Sequence, residues 1–152
     1  MLIVAIFRAR KSGLLRLRKV VTPVGLNCRV GRCGKCCSAM GGEITVKIEE
    51  VYNYASSDII KKKNNLIVLK DKCGKCVYLV DSKCQIYPKR PKSCQDYPWY
   101  NINSTLYYDV GCPGIVFDVD KTPSVAEITP IFEYLHRSKK LQKILVWLFT
   151  HW

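Results

Sequence analysis

The chain has 152 residues, 48% of them hydrophobic, which suits one domain with a modest core and excludes a disordered tail. Lys and Arg number 25 against 12 Asp and Glu, a formal net charge of +13 that stays basic even if metal-bound thiolates offset part of it. Nine cysteines in an odd, crowded arrangement with no secretory leader expected argue against a disulfide framework and for metal ligation.

Taken in chain order, Met1 to Phe7 is apolar but too short to span a bilayer. Its positive charges, Arg8, Arg10 and Lys11, follow it rather than lead it. A first strand or helical turn is expected there, with a membrane-surface anchor as the alternative. Residues 9–20 are basic and leucine-rich, so Leu14, Leu15 and Leu17 are expected to cover a core while the arginines face water. Residues 21–27, with Pro23 and Gly25, read as a linker.

The first cysteine group follows: Cys28, Cys33, Cys36 and Cys37, with Gly31 and Gly34 letting the backbone turn so that thiolates converge. Residues 43–46 read as a short strand. Residues 47–63 read as a helix, because Ile44, Ile48, Val51, Tyr52, Ala55 and Ile59 recur at three- and four-residue spacing. Asn64 and Asn65 end it, and residues 66–69 form a buried strand candidate.

The second group holds Cys73, Cys76, Cys84 and Cys94. Pro88, Pro91 and Pro98 predict mostly loop and short turns, stapled by metal rather than by a core. Strands are expected at 106–108 and 115–119, flanking a Cys112-Pro113-Gly114 turn. Ser124 with Glu127 predicts a capping box and a short helix. Thr129 and Pro130 then open a second helix running to about Phe149, with Ile131, Leu135, Leu141, Leu145, Leu148 and Trp152 in one stripe.

The spacing is Cys28-x4-Cys33-x2-Cys36-Cys37, then Cys73-x2-Cys76-x7-Cys84-x9-Cys94-x17-Cys112. A CxxC turn brings two thiolates onto one centre, as zinc sites and iron–sulfur loops both require. Side chains of adjacent residues diverge, so Cys36 and Cys37 are more easily divided between sites than chelated together; Cys37 as a plain buried thiol is the bland alternative.

The pieces Cys28-x4-Cys33-Gly34-x-Cys36-Cys37, Cys76-x-x-Leu79, Cys84-Gln85-Ile86-Tyr87 and Arg90-Pro91-x-x-Cys94-x-x-Tyr97-Pro98 resemble the zinc- or iron-chelating cysteine-cluster family, often labelled iron–sulfur oxidoreductase-like. The resemblance spans about Cys28 to Cys112. It implies metal binding through eight cysteines, here Cys28, Cys33, Cys36, Cys37, Cys76, Cys84, Cys94 and Cys112, with Cys73 left as a departure. Gln95 also departs from the arginine common at that position. The cofactor expected is an iron–sulfur cluster, foremost 4Fe-4S, with zinc as the alternative.

Around the cysteines, Arg90 is expected either to donate to backbone carbonyls or cluster sulfurs, or to be a plain surface arginine next to proline. Tyr87 and Tyr97 are expected to pack over the metal loops, and Asp81 and Asp96 to cap turns. His136 and His151 stand far from the cysteine loops in sequence and are not expected to ligate. No dinucleotide fingerprint, phosphate loop or catalytic set can be nominated, so the question of enzyme activity stays open.

The expected fold class is therefore α+β: a small, irregular, metal-stapled domain with short strands, proline-rich cysteine loops and C-terminal helices. Its parts are a basic N-terminal segment (1–27), a cysteine-cluster metal-binding domain (28–120) and a C-terminal helical segment (121–152) packed on the domain or on a partner. The expected role is electron transfer, sensing or assistance to a macromolecular partner, in the cytoplasm, with no transmembrane segment. A protein partner is favoured for the aromatic C-terminal helix. RNA or the ribosome is the alternative suggested by basic runs interleaved with tyrosines, and peripheral membrane contact is a third.

Overall fold

The computed structural model describes residues 10–28, 33–39, 44–62, 66–117, 119–135 and 147. They form a small mixed α+β domain of short strands and a few short helices. Its strands are β1 (Leu17–Lys19), β2 (Val24–Leu26), β3 (Ile59–Lys61), β4 (Ile67–Leu69), β5 (Asp71–Lys72), β6 (Lys75–Cys76), β7 (Leu79–Val80), β8 (Lys83–Cys84), β9 (Trp99–Ile102), β10 (Thr105–Asp109) and β11 (Ile115–Phe117). The helices are α1 (Lys35–Ala39), α2 (Lys92–Asp96) and α3 (Ile131–Leu135).

The pairing is antiparallel throughout these sheets: β1-β10-β9 in one, and β2 with β11, β3 with β4, β5 with β6 and β7 with β8 in two-stranded ribbons. No ribbon alone buries enough to stand in water. They are held by three small apolar clusters. Leu14, Leu15, Ala39, Ile102 and Ile131 form one. Ile44, Val46, Tyr54, Ile67, Leu69 and Cys76 form the second, and Val24, Trp99, Tyr108 and Ile128 the third. Helix α1 bridges two of them, since Ala39 lies in the first and Cys37 packs against the second.

Several expectations hold. Leu14 and Leu15 are buried and Leu17 packs against their cluster. The strand expected at 66–69 is β4, buried along its whole length. Those expected at 106–108 and 115–119 are β10 and β11. The capping box is present: Ser124 Oγ accepts from the Ala126 N–H at 3.3 Å, and the Ser124 N–H donates to Glu127 Oε2 at 2.7 Å. The short helix there is a single 3-10 turn, Val125–Glu127. A helix does follow Pro130 among the described residues, α3. The helical stripe beyond Leu135, the apolar start at Met1 to Phe7, and both histidines lie outside the described residues.

The helix expected over 47–63 is corrected. The chain makes 3-10 turns at Ile48–Asn53 and Ser56–Asp58, then enters β3. The apolar stripe that suggested a helix does not face the core as a unit: Val51 and Ile59 pack against the second cluster, whereas Ile48 is 80% and Tyr52 84% exposed. Ser56, Ser57 and Asp58 favour turns, and β-branched Ile59 and Ile60 gain more by pairing with β4. Along the other edge of β4, the strand expected at 43–46 is reduced to a bridge between Thr45 and Val68.

Two further readings change. Residues 24–26, placed in a linker, form β2, because β11 supplies an apolar partner with Leu26 opposite Ile115. The region from Cys73 to Cys112, read as mostly loop, contains three two-residue hairpins. Their turns are Cys73-Gly74, Asp81-Ser82 and Asn103-Ser104, and all six residues have positive φ, as tight hairpin turns that match strand twist require. The prolines stand outside the strands: Pro88 in a 3-10 turn, Pro91 at the start of α2, and Pro98 between α2 and β9.

Candidate metal centre

Four stretches of chain bring the cysteines together. Cys28 follows β2, and Cys112 precedes β11. The ladder between these strands is continued by the Asn27 N–H donating to Gly114 O at 2.7 Å. Cys28 and Cys112 are thereby held at one end of one ribbon. Cys36 and Cys37 lie on α1, which packs against β6 and its Cys76. Cys84 ends the β7–β8 ribbon, opposite Leu79. Cys94 lies on α2, which is tied down from two sides. Glu50 Oε1 accepts the Lys92 N–H at 2.9 Å, and Ser93 Oγ donates to Thr45 O at 2.6 Å.

Gly34 and Gly111 allow the close approaches. Gly34 has φ +49°, and a Cβ there would sit 2.7 Å from Leu79 Cδ1, so the first cysteine loop rests directly on the β7–β8 ribbon. At Gly111 a Cβ would fall 1.7 Å from Gly13 O. The backbone at Gly13 and Leu14 therefore crosses against the residue next to Cys112. Gly111→Ala is expected to destabilise the protein by about 3 kcal/mol, since the obstacle is backbone and cannot rotate away. A denaturant midpoint equal to that of the unaltered chain would contradict this packing.

One cleft is lined by Cys28, Cys33, Cys36, Cys94 and Cys112, with Lys35, Arg90 and Tyr97 at its walls. The remaining three join through Cys37, whose thiol interacts with those of Cys36, Cys76 and Cys84. Cys36 Sγ and Cys37 Sγ are 4.0 Å apart. Eight of the nine cysteines thus gather in one neighbourhood. The ninth, Cys73, is exposed at the tip of the β5–β6 hairpin. Cys76 and Cys112 are buried, Cys33 is exposed, and Cys28, Cys36, Cys37, Cys84 and Cys94 are half-buried.

The thiols do not titrate alike. Cys37 is held well above the ordinary range because it shares its proton with three sulfurs. Cys36 and Cys76 are lowered, in each case first by the Cys37 hydrogen bond. Cys84 is brought down to about 6, first by the Cys37 hydrogen bond, then by the Ile86 N–H and the Arg90 charge. Burial pushes Cys94 up, and nearby Cys36, Cys76 and Cys84 add to it. Burial also raises Cys112, and the nearness of Cys36, Cys33 and Cys28 adds to it.

Among the described residues, no three His, Cys, Asp or Glu side chains close on a single point tightly enough to hold one ion. The donor set nonetheless fits a thiolate centre in kind. It offers soft sulfur ligands on glycine-relieved turns, with two cations at hand to offset their charge.

Arg90 takes the place expected of it beside the cysteines. Its Nε donates to Tyr87 O at 3.1 Å, and its guanidinium lies 3.8 Å over the Tyr87 ring. Its charge lowers Cys36, Cys84 and Cys94. Arg90→Ala is expected to raise the pH at which metal is released and to weaken metal binding about tenfold, as loss of an outer contact does. Chelator competition at several pH values measures both. Arg90→Lys retains the charge, so an equal loss in that variant would assign the effect to stacking on Tyr87 instead.

Tyr97 packs at the cleft as expected, and its hydroxyl donates to Asp109 Oδ2 at 3.2 Å. Asp81 sits in its hairpin turn. Asp96 does more than cap a turn. It is buried, pairs with Lys92, and accepts the Thr129 N–H at 3.1 Å and the Tyr134 hydroxyl at 2.7 Å. It therefore ties α3 and the segment before it to the helix that carries Cys94. The residue that sequence reasoning missed is Asp109, three positions before Cys112. A buried acid beside the Gly111-Cys112-Pro113-Gly114 run was the available signal. Lys35 was also missed; its Nζ donates to Gly111 O at 3.2 Å from the wall of the cleft.

A small α+β domain that gathers eight thiols from separate segments defines a class of cysteine-cluster, metal-chelating proteins. The match of residues 27–113, more than half of the chain, to the CxxCxxCC family, described as "Putative zinc- or iron-chelating domain", shows that the chain belongs to that family. No solved structure matches the chain.

Proposed function

We propose that the chain is a thiolate-ligated metal protein that carries an iron–sulfur cluster and serves a macromolecular partner as electron carrier, sensor or accessory. The observation that supports this reading is the convergence of eight cysteines from four segments beside Arg90 and Lys35. Cys28, Cys33, Cys36, Cys37, Cys76, Cys84, Cys94 and Cys112 would hold the metal. A bound cluster would supply one-electron chemistry. The chain's own residues bind it, offset its negative charge and keep water from it. Cys94 and Cys112, raised by burial, give up their protons only when metal replaces them.

Free thiols at all nine cysteines suit a reducing compartment such as the cytoplasm. No helix among the described residues is long and apolar enough to cross a membrane. The net charge of +13 favours an acidic protein surface as partner, with RNA or the ribosome as the other polyanion of that kind. Zinc is the second reading for the metal. Four thiolates suit it as well as they suit an iron–sulfur cluster.

Purification without oxygen, followed by iron, sulfide and zinc analysis, tests the proposal. Iron with equimolar sulfide and a broad visible absorption band is expected. Zinc without sulfide selects the second reading. A folded chain carrying neither metal overturns both.

A further inference from the structure

We propose that the eight cysteines form two separate four-thiolate centres that meet at adjacent residues of α1, Cys28, Cys33, Cys36 and Cys112 holding one and Cys37, Cys76, Cys84 and Cys94 the other. The inference rests on the metal-binding reading above, but not on which metal is bound.

The fold itself separates the groups. Cys28 and Cys112 are clamped together by the β2–β11 ribbon and its extension from Asn27 to Gly114. Cys33 and Cys36 line the same cleft as that pair, and Cys94 reaches it from α2. The second group belongs to a different part of the core. Cys37, Cys76 and Cys94 pack with the cluster built on Ile44, Val46, Ile67 and Leu69. Cys84 reaches it from the β7–β8 ribbon and contacts Cys37.

Cys36 and Cys94 both touch the other group, and Cys36 is the one that the first group needs for completion. The second group already has four thiols without it, and the first has three. Helix geometry permits the division: successive side chains leave an α-helix about 100° apart, so Cys36 and Cys37 can turn toward different centres. The 4.0 Å gap then lies between ligands of neighbouring centres rather than along one edge of a single tetrahedron. Either a zinc ion or a 4Fe–4S core with four thiolates carries a net charge of about −2. Two such charges side by side repel, and Arg90 and Lys35 stand beside the sulfurs to offset them. Binding transfers thiol protons to solvent and changes no oxidation state.

The test uses the full chain as isolated without oxygen. Native mass spectrometry counts centres per chain, and two are expected. Brief exposure to a chelator should then produce a one-centre species. Alkylation with iodoacetamide and peptide mapping reveal which thiols were freed. Cys28, Cys33, Cys36 and Cys112 should label as one set while the other set stays protected, or the reverse. The sharpest readout is the peptide that contains both Cys36 and Cys37, which should carry one label. Two labels or none on that peptide, in the one-centre species, overturns the division. So does a single centre per chain, or loss of both centres with no intermediate. Absence of metal from the folded protein is a different failure, because it overturns the metal-binding reading itself.

Discussion

Cys76→Ser and Cys84→Ser are each expected to abolish the metal held by their group, whereas Cys73→Ser leaves metal content and stability unchanged. A hydroxyl is a poor soft ligand, and three thiolates bind a four-coordinate centre far more weakly than four. Structural metal contributes on the order of 10 kcal/mol to the folding of small domains that depend on it. The ribbons bearing Cys76 and Cys84 have little else to hold them. Strands β5 to β8 are two residues each, and β5 is wholly exposed. Cys73 differs because it occupies a hairpin tip at φ +53° and is exposed. Metal analysis and thermal unfolding of the three variants check this. Full metal retention by Cys84→Ser, or full loss from Cys73→Ser, would show that the thiols are wrongly sorted.

The cysteine pattern and the family it marks could be read from the sequence because cysteine is rare and its spacing carries meaning without any knowledge of the fold. Buried β4 was legible for a similar reason: an unbroken apolar run bounded by turn residues has few other uses. The Ser124–Glu127 capping box is local chemistry and appears as such. What was not legible depended on partners far away in sequence. Gly25 reads as a breaker until β11, ninety residues on, pairs with its strand. The spacing of Ile48, Val51 and Tyr52 reads as a helix until the fold packs Val51 and leaves Ile48 and Tyr52 in water. The tight turns at Cys73-Gly74, Asp81-Ser82 and Asn103-Ser104 hide their hairpins because the strands are too short for an alternating pattern to register. Convergence of the two cysteine groups likewise needed α1 in place between the apolar clusters.

Asp109→Ala is expected to destabilise the protein by about 4 kcal/mol and to loosen metal binding as well. The carboxylate is fully buried, at 0% exposure, and each oxygen has two donors. Oδ2 accepts the Leu15 N–H at 2.6 Å and the Tyr97 hydroxyl at 3.2 Å. Oδ1 accepts the Arg16 N–H at 3.0 Å and the Gly111 N–H at 2.9 Å. A single side chain thus fastens the leucine-rich segment, the residue next to Cys112 and a tyrosine of the cleft wall. Alanine orphans three backbone donors, each costing about 1–3 kcal/mol where water cannot reach it. Asp109→Asn gives a finer test, since it keeps the shape and changes one acceptor into a donor. The amide nitrogen is best placed at the Oδ2 position, because the Tyr97 hydroxyl can turn to accept from it. Only the Leu15 N–H is then left without a partner, so asparagine should cost about half as much as alanine, roughly 2 kcal/mol. Denaturant unfolding of the metal-loaded variants measures the order, and chelator competition measures the effect on the metal. If alanine and asparagine both unfold within about 1 kcal/mol of the unaltered chain, Asp109 is not the tie that its four hydrogen bonds describe.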